Sequence, residues 1–269
     1  MPKVKVNDIT MHYDQQGTGE PLLLIPYLTA DCACYAFQVA EYAKYFTCIT
    51  VDSRGAGETD KPDGVYSTEL FADDAAAFLQ ALGIDRAHVT GLSLGAATAM
   101  WLAARYPHRV KSLSLHSGWT KTDRFLETVI EGWQAMAKGL GSVTEMVIRG
   151  IFPWCLTPER YAAKPDDIQS LVEFVRGRPL QPFDAFMRQS NAVITHDVEG
   201  QLGNIKAPTQ ITFGRDDRVT STRFAERMLH HRIQGAELVI FEGCAHAPIY
   251  EKVDEFNQTT LQFLLRHSG

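Results

Sequence analysis

The sequence predicts an α/β chain: a mostly parallel sheet covered by helices on both faces, with a helical segment inserted past the middle of the sheet. Three observations predict it. Short continuous apolar runs, Pro21–Ile25 (PLLLI) and Phe46–Val51 (FTCITV) among them, suit strands buried on both faces. Segments with apolar residues at helical spacing alternate with these runs, as in parallel strands joined by crossover helices. The alternation stops at Trp119 and resumes after about Thr195.

Taken in order, Lys3–Val6 and Thr10–Tyr13 alternate like a hairpin and are followed by a turn-rich Gln15–Glu20. Pro21–Ile25 and Phe46–Val51 are the first two buried strands, the second ending at Asp52 and the loop Ser53–Asp60. Leu70–Leu82 has helical spacing and closes at Gly83, a C-cap signal. The strand His88–Thr90 leads into Gly91, a helix runs from Leu94 to Tyr106 with Pro107 just past it, and Val110–His116 is another strand. Between Trp119 and Thr195 the spacing is helical, and Pro153, Pro158, Pro165, Pro179 and Pro182 predict short helices. Then come the strand Thr209–Phe213, the helix Thr222–Leu229, the strand Leu238–Phe241 and a last helix Val253–Arg266. His230 and His231 read as structural or surface histidines.

Composition narrows the function. The 269 residues carry 26 Lys+Arg against 32 Asp+Glu, a net charge of −6, which argues against a nucleic-acid partner or an anionic lipid surface. With 45% hydrophobic and 22% charged residues the chain is globular, not disordered or fibrous. No run approaches the roughly 18 apolar residues of a membrane span. The opening MPKVKVNDIT lacks the apolar core of a signal peptide, so the expected location is cytoplasmic. The five cysteines are odd in number and have no C-x-x-C spacing; they read as small core or pocket-wall residues, with a metal or disulfide use of Cys32 and Cys34 left open.

In such a sheet ligand chemistry sits beyond the carboxyl ends of the strands, and three loops there carry the residue types of nucleophilic hydrolysis. Gly91-Leu92-Ser93-Leu94-Gly95 is a G-x-S-x-G between strand and helix, where glycines permit a sharp turn that exposes the Ser93 hydroxyl near helix N–H groups. The alternative is that Ser93 merely caps the helix. Gly214-Arg215-Asp216-Asp217-Arg218-Val219 offers two carboxylates to orient an imidazole; Asp217 is preferred, with Asp216 capping the loop or pairing with Arg215 or Arg218. Gly243-Cys244-Ala245-His246 places a histidine among small neighbours that leave its ring free to reach Ser93.

The order Ser93…Asp217…His246, with the VDSRGAGETDKP loop and the tail FEGCAHAPIYEKVDEFNQTTLQFL, resembles the α/β-hydrolase superfamily along nearly the whole chain. The resemblance implies a catalytic triad of those residues, a core of residues 1–118 and 195–269, and a helical cap of residues 119–194. It also implies an oxyanion hole from the backbone N–H groups of Leu28 and Leu94. Many relatives carry His-Gly where this chain has Pro26-Tyr27, and Pro26 has no N–H to offer. The stretch IPYLTADCACYAFQ is similar to the lactonase branch, where that pair is also replaced. Tyr27 faces either the substrate or the core, and the cap aromatics, Trp119 and Trp154 among them, line the pocket or pack the interior. Arg149, Arg176, Arg178 and Arg188 are candidates for holding a substrate carboxylate or are simply exposed.

The expected activity is a serine hydrolase acting on a small carboxylic ester or lactone, requiring no metal or organic cofactor. The alternatives are an amide hydrolase, a carbon–carbon bond hydrolase of a ring-cleavage product, whose glycine-rich oxyanion loop is missing here, and a ligand receptor built on a hydrolase scaffold. The expected partner is a small-molecule substrate, and a homodimer stays open.

Overall fold

Adjacent side chains on a strand point to opposite faces, so a run such as Leu22–Ile25 must find apolar cover on both sides. In a computed structural model, which describes residues 2–231 and 233–269, it does. Leu22 and Leu24 join one buried cluster with Tyr35, Tyr42, Phe241 and Phe256, while Leu23 and Ile25 join a larger one with Phe78, Leu79, Ala99 and Met100. The side chains of residues 226, 227 and 229–231 lie outside the described ones, and with them the reading of His230 and His231.

The strands are β1 (Lys3–Val6), β2 (Ile9–Gln16), β3 (Glu20–Ile25), β4 (Phe46–Val51), β5 (Ala87–Leu92), β6 (Val110–His116), β7 (Thr209–Gly214) and β8 (Glu237–Phe241). They form one eight-stranded sheet in the order β1-β2-β4-β3-β5-β6-β7-β8. The β1–β2 and β2–β4 pairs are antiparallel and every later pair is parallel. Helices α1 (Ala36–Tyr42), α2 (Thr68–Ala81), α3 (Leu94–Arg105), α10 (Ser221–His231) and α12 (Val253–Arg266) cover the two faces, and the single-turn α11 (Pro248–Glu251) precedes α12.

Between β6 and β7 the described residues form six α-helices, α4 (Arg124–Leu140), α5 (Val143–Met146), α6 (Phe152–Cys155), α7 (Pro158–Ala163), α8 (Pro165–Arg176) and α9 (Phe183–Ile194), with a π-helical turn at Val147–Ile151 and a 3₁₀ helix at Glu199–Asn204. The expectation that all are short fails for α4, which runs 17 residues. Every proline of the segment falls at 153 or later, so none interrupts α4. Asp123 accepts from Leu126 N–H at its start and Gly141 closes it at φ 62°. Pro158 and Pro165 sit in the first turns of α7 and α8, where a missing N–H costs nothing. The helix α1, with the 3₁₀ turn Cys32–Tyr35 before it, was not expected; it starts where the Asp31 carboxylate accepts from Ala33 N–H. Among the described residues no helix is long and apolar enough to cross a membrane.

Candidate active site

β5 ends at Leu92 and α3 starts at Leu94, so a single residue, Ser93, turns the chain, at φ 54° and ψ −117°. A non-glycine residue there stores strain of order 1–3 kcal/mol, which the surroundings must impose. They do so by close approach. A Cβ on Gly91 would lie 2.3 Å from the Gly95 carbonyl oxygen, and one on Gly95 would lie 2.1 Å from the Ile25 oxygen. The backbone of Ser93 is pinned from both sides, its N–H donating to His116 O (2.9 Å) and its carbonyl accepting from Ala97 N–H (3.0 Å). Its hydroxyl makes no capping bond to α3, so the helix-cap alternative has no support.

The loop after β7 places its two aspartates in different surroundings. Asp217 is buried, and its Oδ2 lies 2.8 Å from His246 Nδ1. Oδ1 accepts from the N–H groups of Val219 (2.8 Å) and Thr220 (3.0 Å), and the Thr220 hydroxyl sits 3.0 Å from Oδ2. Burial alone would raise this carboxyl, but the imidazole beside it and the Thr220 bonds outweigh burial and hold it below its ordinary value. Asp216 is exposed instead, and the pairings expected of it do not form: Arg215 pairs with Glu242, and Arg218 donates to the Pro153 carbonyl. His246 is itself buried, with its carbonyl accepting from Ser117 Oγ (2.9 Å). Ser93 and His246 line the same cavity. Among the described residues no hydrogen bond joins them directly, a looseness that substrate complexes commonly tighten.

Among the described residues the N–H groups of Leu28 and Leu94 donate no hydrogen bond; Leu28 lines the cavity, and Leu94 is buried directly after the lining residue Ser93. Tyr27 lines it too, but its phenol is committed at 2.8 Å to Tyr250, whose hydroxyl lies 3.0 Å from Cys34 O. Trp119 is a buried wall residue, its Nε1 donating to Thr122 (2.8 Å). Trp154 does not reach the cavity. On the one-turn α6 it is Phe152 and Cys155, three apart, that face inward, which turns Trp154 out onto Phe125 and beneath Arg218. Cys34 and Cys155 also line the wall; burial pushes both thiols well above their ordinary value, so neither competes as a nucleophile. All five cysteines are buried and unbridged.

Thr220, Ser117 and Glu251 complete the surroundings of the histidine and were not picked out from the sequence. Glu251 accepts from Ala245 N–H (2.7 Å) and from both the N–H and hydroxyl of Thr157 (2.7 Å each), tying the histidine loop to the start of α7. Spacing gave a usable signal only for Thr220, three residues after Asp217.

The family described as the alpha/beta hydrolase fold matches residues 21–253. A protein of Azorhizobium caulinodans, provisionally named carbamate hydrolase RutD, is 27% identical over 263 residues, covering 98% of each chain. The 2-hydroxy-6-oxo-6-phenylhexa-2,4-dienoate hydrolase of Comamonas testosteroni is 27% identical over 269 residues, covering 96% of this chain and 92% of its own. Among solved structures the enol-lactonase of Burkholderia xenovorans superimposes with a TM-score of 0.88 over 98% of this chain and all of its own, at 23% identity, a likeness of fold alone. A family match from β3 to the start of α12, over a sheet of this order and a serine at its strand–helix turn, settles the class: the chain belongs to the α/β-hydrolase family and is an enzyme of that type.

Proposed function

We propose that the protein is a serine hydrolase of small carboxylic esters or lactones, working through an acyl-enzyme on Ser93. The observation that carries this reading is the combination at one cavity of a strained serine, whose hydroxyl makes no capping bond among the described residues, and a histidine beside a buried aspartate 2.8 Å from its Nδ1. With Nδ1–H donating to Asp217, His246 presents Nε2 as the base. It takes the Ser93 proton as Oγ attacks the acyl carbon. The N–H groups of Leu28 and Leu94 hold the tetrahedral oxyanion, a donor of this kind contributing about 2.7–4 kcal/mol in the transition state. His246 then protonates the leaving alkoxide, and a water it activates clears the acyl group. Residues 119–194 act as a cap: α4 contributes Leu126, Ile130 and Trp133 to the wall, which favours an apolar acyl or alcohol group.

The Comamonas relative favours a second reading, hydrolysis of a carbon–carbon bond beside a carbonyl, which begins with the same groups. A panel of short-chain aryl esters, lactones and a dicarbonyl ring-cleavage product separates the two. Ser93→Ala is expected to abolish ester turnover and fluorophosphonate labelling while circular dichroism and melting stay unchanged. Retained turnover in that variant rejects the assignment.

A further inference from the structure

Among the described residues the cavity wall holds one carboxylate and one guanidinium, Asp31 and Arg178. They belong to different parts of the chain, Asp31 to the segment after β3 and Arg178 to the connection between α8 and α9. They are paired: Arg178 Nε donates to Asp31 Oδ2 at 2.7 Å. The other Asp31 oxygen accepts from Ala33 N–H at 3.0 Å, and the guanidinium lies 5.8 Å from the Phe174 ring. Asp31 is 7% exposed, so its carboxylate depends on these two donors.

From this geometry we infer that Asp31 is a specificity-determining residue: it neutralises Arg178, so the cavity selects uncharged substrates over those with a carboxylate in the acyl or alcohol part. The other arginines of residues 119–194 are absent from the cavity wall, Arg124 pairing with Glu127 and Arg160 with Asp167. Arg149 and Arg176 pair with Glu145, and Arg188 pairs with Asp63. A carboxylate entering the cavity meets a cation whose field is cancelled 2.7 Å away. To bind Arg178 through Nε it must displace Asp31 and leave a buried carboxylate short of a donor, which is costly. Neutral chains meet the largely apolar wall at no such cost. This deepens the ester or lactone reading and rests on it for the substrate, though not for the charge balance.

Binding and turnover are therefore tested separately. Affinity for hexanoate and for 1-hexanol is read by the fluorescence of the protein, whose Trp119 and Trp133 line the cavity. Turnover is read with a neutral aryl hexanoate and an aryl ester of a dicarboxylic half-acid of equal length. Wild type is expected to prefer the neutral member of each pair. Asp31→Asn keeps an oxygen for Ala33 N–H and leaves Arg178 uncompensated; it is expected to raise the hexanoate-to-hexanol affinity ratio, and the matching ratio of kcat/KM, by about tenfold or more. Arg178→Met leaves Asp31 as the uncompensated charge and is expected to lower both ratios, which keeps a test available should Asp31→Asn not fold. A wild-type preference for the anion, an unchanged ratio in Asp31→Asn, or a raised one in Arg178→Met overturns the inference. Failure of wild type to hydrolyse either ester, with the affinity ratios as expected, overturns the ester reading instead.

Discussion

Replacing Asp217 by Asn tests the site at the atom where the sequence left two choices. Oδ1 accepts two backbone N–H bonds, from Val219 at 2.8 Å and Thr220 at 3.0 Å. An asparagine must keep its carbonyl oxygen there, because the flipped amide would set NH₂ against two N–H groups. Its NH₂ then occupies the Oδ2 position, 2.8 Å from His246 Nδ1. Facing a donor, Nδ1 must accept, so the ring proton moves to Nε2 and the base that Ser93 needs is lost. A histidine held in the wrong tautomer costs about 10⁴-fold in kcat in serine hydrolases of this design, near 5 kcal/mol of barrier. Shape is nearly unchanged, so KM and melting temperature should move little. Asp216→Asn, on an exposed carboxylate, should stay within about twofold of wild type. The assay is kcat and KM for a short-chain aryl ester, with the fluorophosphonate labelling rate as an independent readout. Asp217→Asn within tenfold of wild type, or Asp216→Asn as damaging, refutes the reasoning.

Two further outcomes follow from packing and burial. Gly95→Ala puts a Cβ 2.1 Å from Ile25 O, where only backbone can give way; an overpacking cost of about 1–3 kcal/mol or more predicts a melting temperature several degrees lower and slower labelling of Ser93. Gly132→Ala in α4, with nothing within 4 Å, should instead stabilise by about 0.5–1 kcal/mol, so equal effects of the two would contradict the contact argument. Burial pushes His116 down to about 3 and His196 to about 4 from an ordinary 6.5. The unfolded chain therefore binds the extra protons in that window. Stability is complete above about pH 6.5 and declines as pH falls toward 4, by about 1.4 kcal/mol per unit for each ring, and a melting temperature flat from pH 7 to 4.5 would contradict it.

Much of the fold was legible because its signals are local. The runs Phe46–Val51 and Val110–His116 coincide with β4 and β6: apolar residues recur along each, and their buried polar residues are small or hydrogen-bonded, as His116 is to Thr90 and Thr212. The serine turn was legible for the same reason: Gly91 and Gly95 record, in the sequence, a backbone contact that no larger residue survives. Asp217 was half legible. Neighbouring aspartates look alike until β7 and β8 set one inward against His246 and the other toward solvent. The α1 segment was missed because Asp31 is its only strong start signal and Ala33, Cys34 and Ala36 give little amphipathic contrast.

What stayed hidden is what depends on pairs far apart in the chain. Trp154 and Trp119 are equally aromatic, yet the turn phase of α6 turns one out while the other lines the cavity. The four candidate arginines of residues 119–194 were indistinguishable until the fold assigned three of them to Glu145 and Asp63 and brought the fourth to a carboxylate 147 residues away. On the proposed reading the chemistry lies in three short loops, whereas the choice of substrate lies in contacts between residues 119–194 and those loops. Relatives 27% identical over nearly the whole chain carry names as different as carbamate and dienoate hydrolases, the divergence expected if selection acts on cap contacts over an unchanged nucleophile turn. Exchanging the 177–182 connection, which carries Arg178 and the Gln181 bond to Gly55 O, should therefore shift substrate preference before it alters the rate of Ser93 labelling.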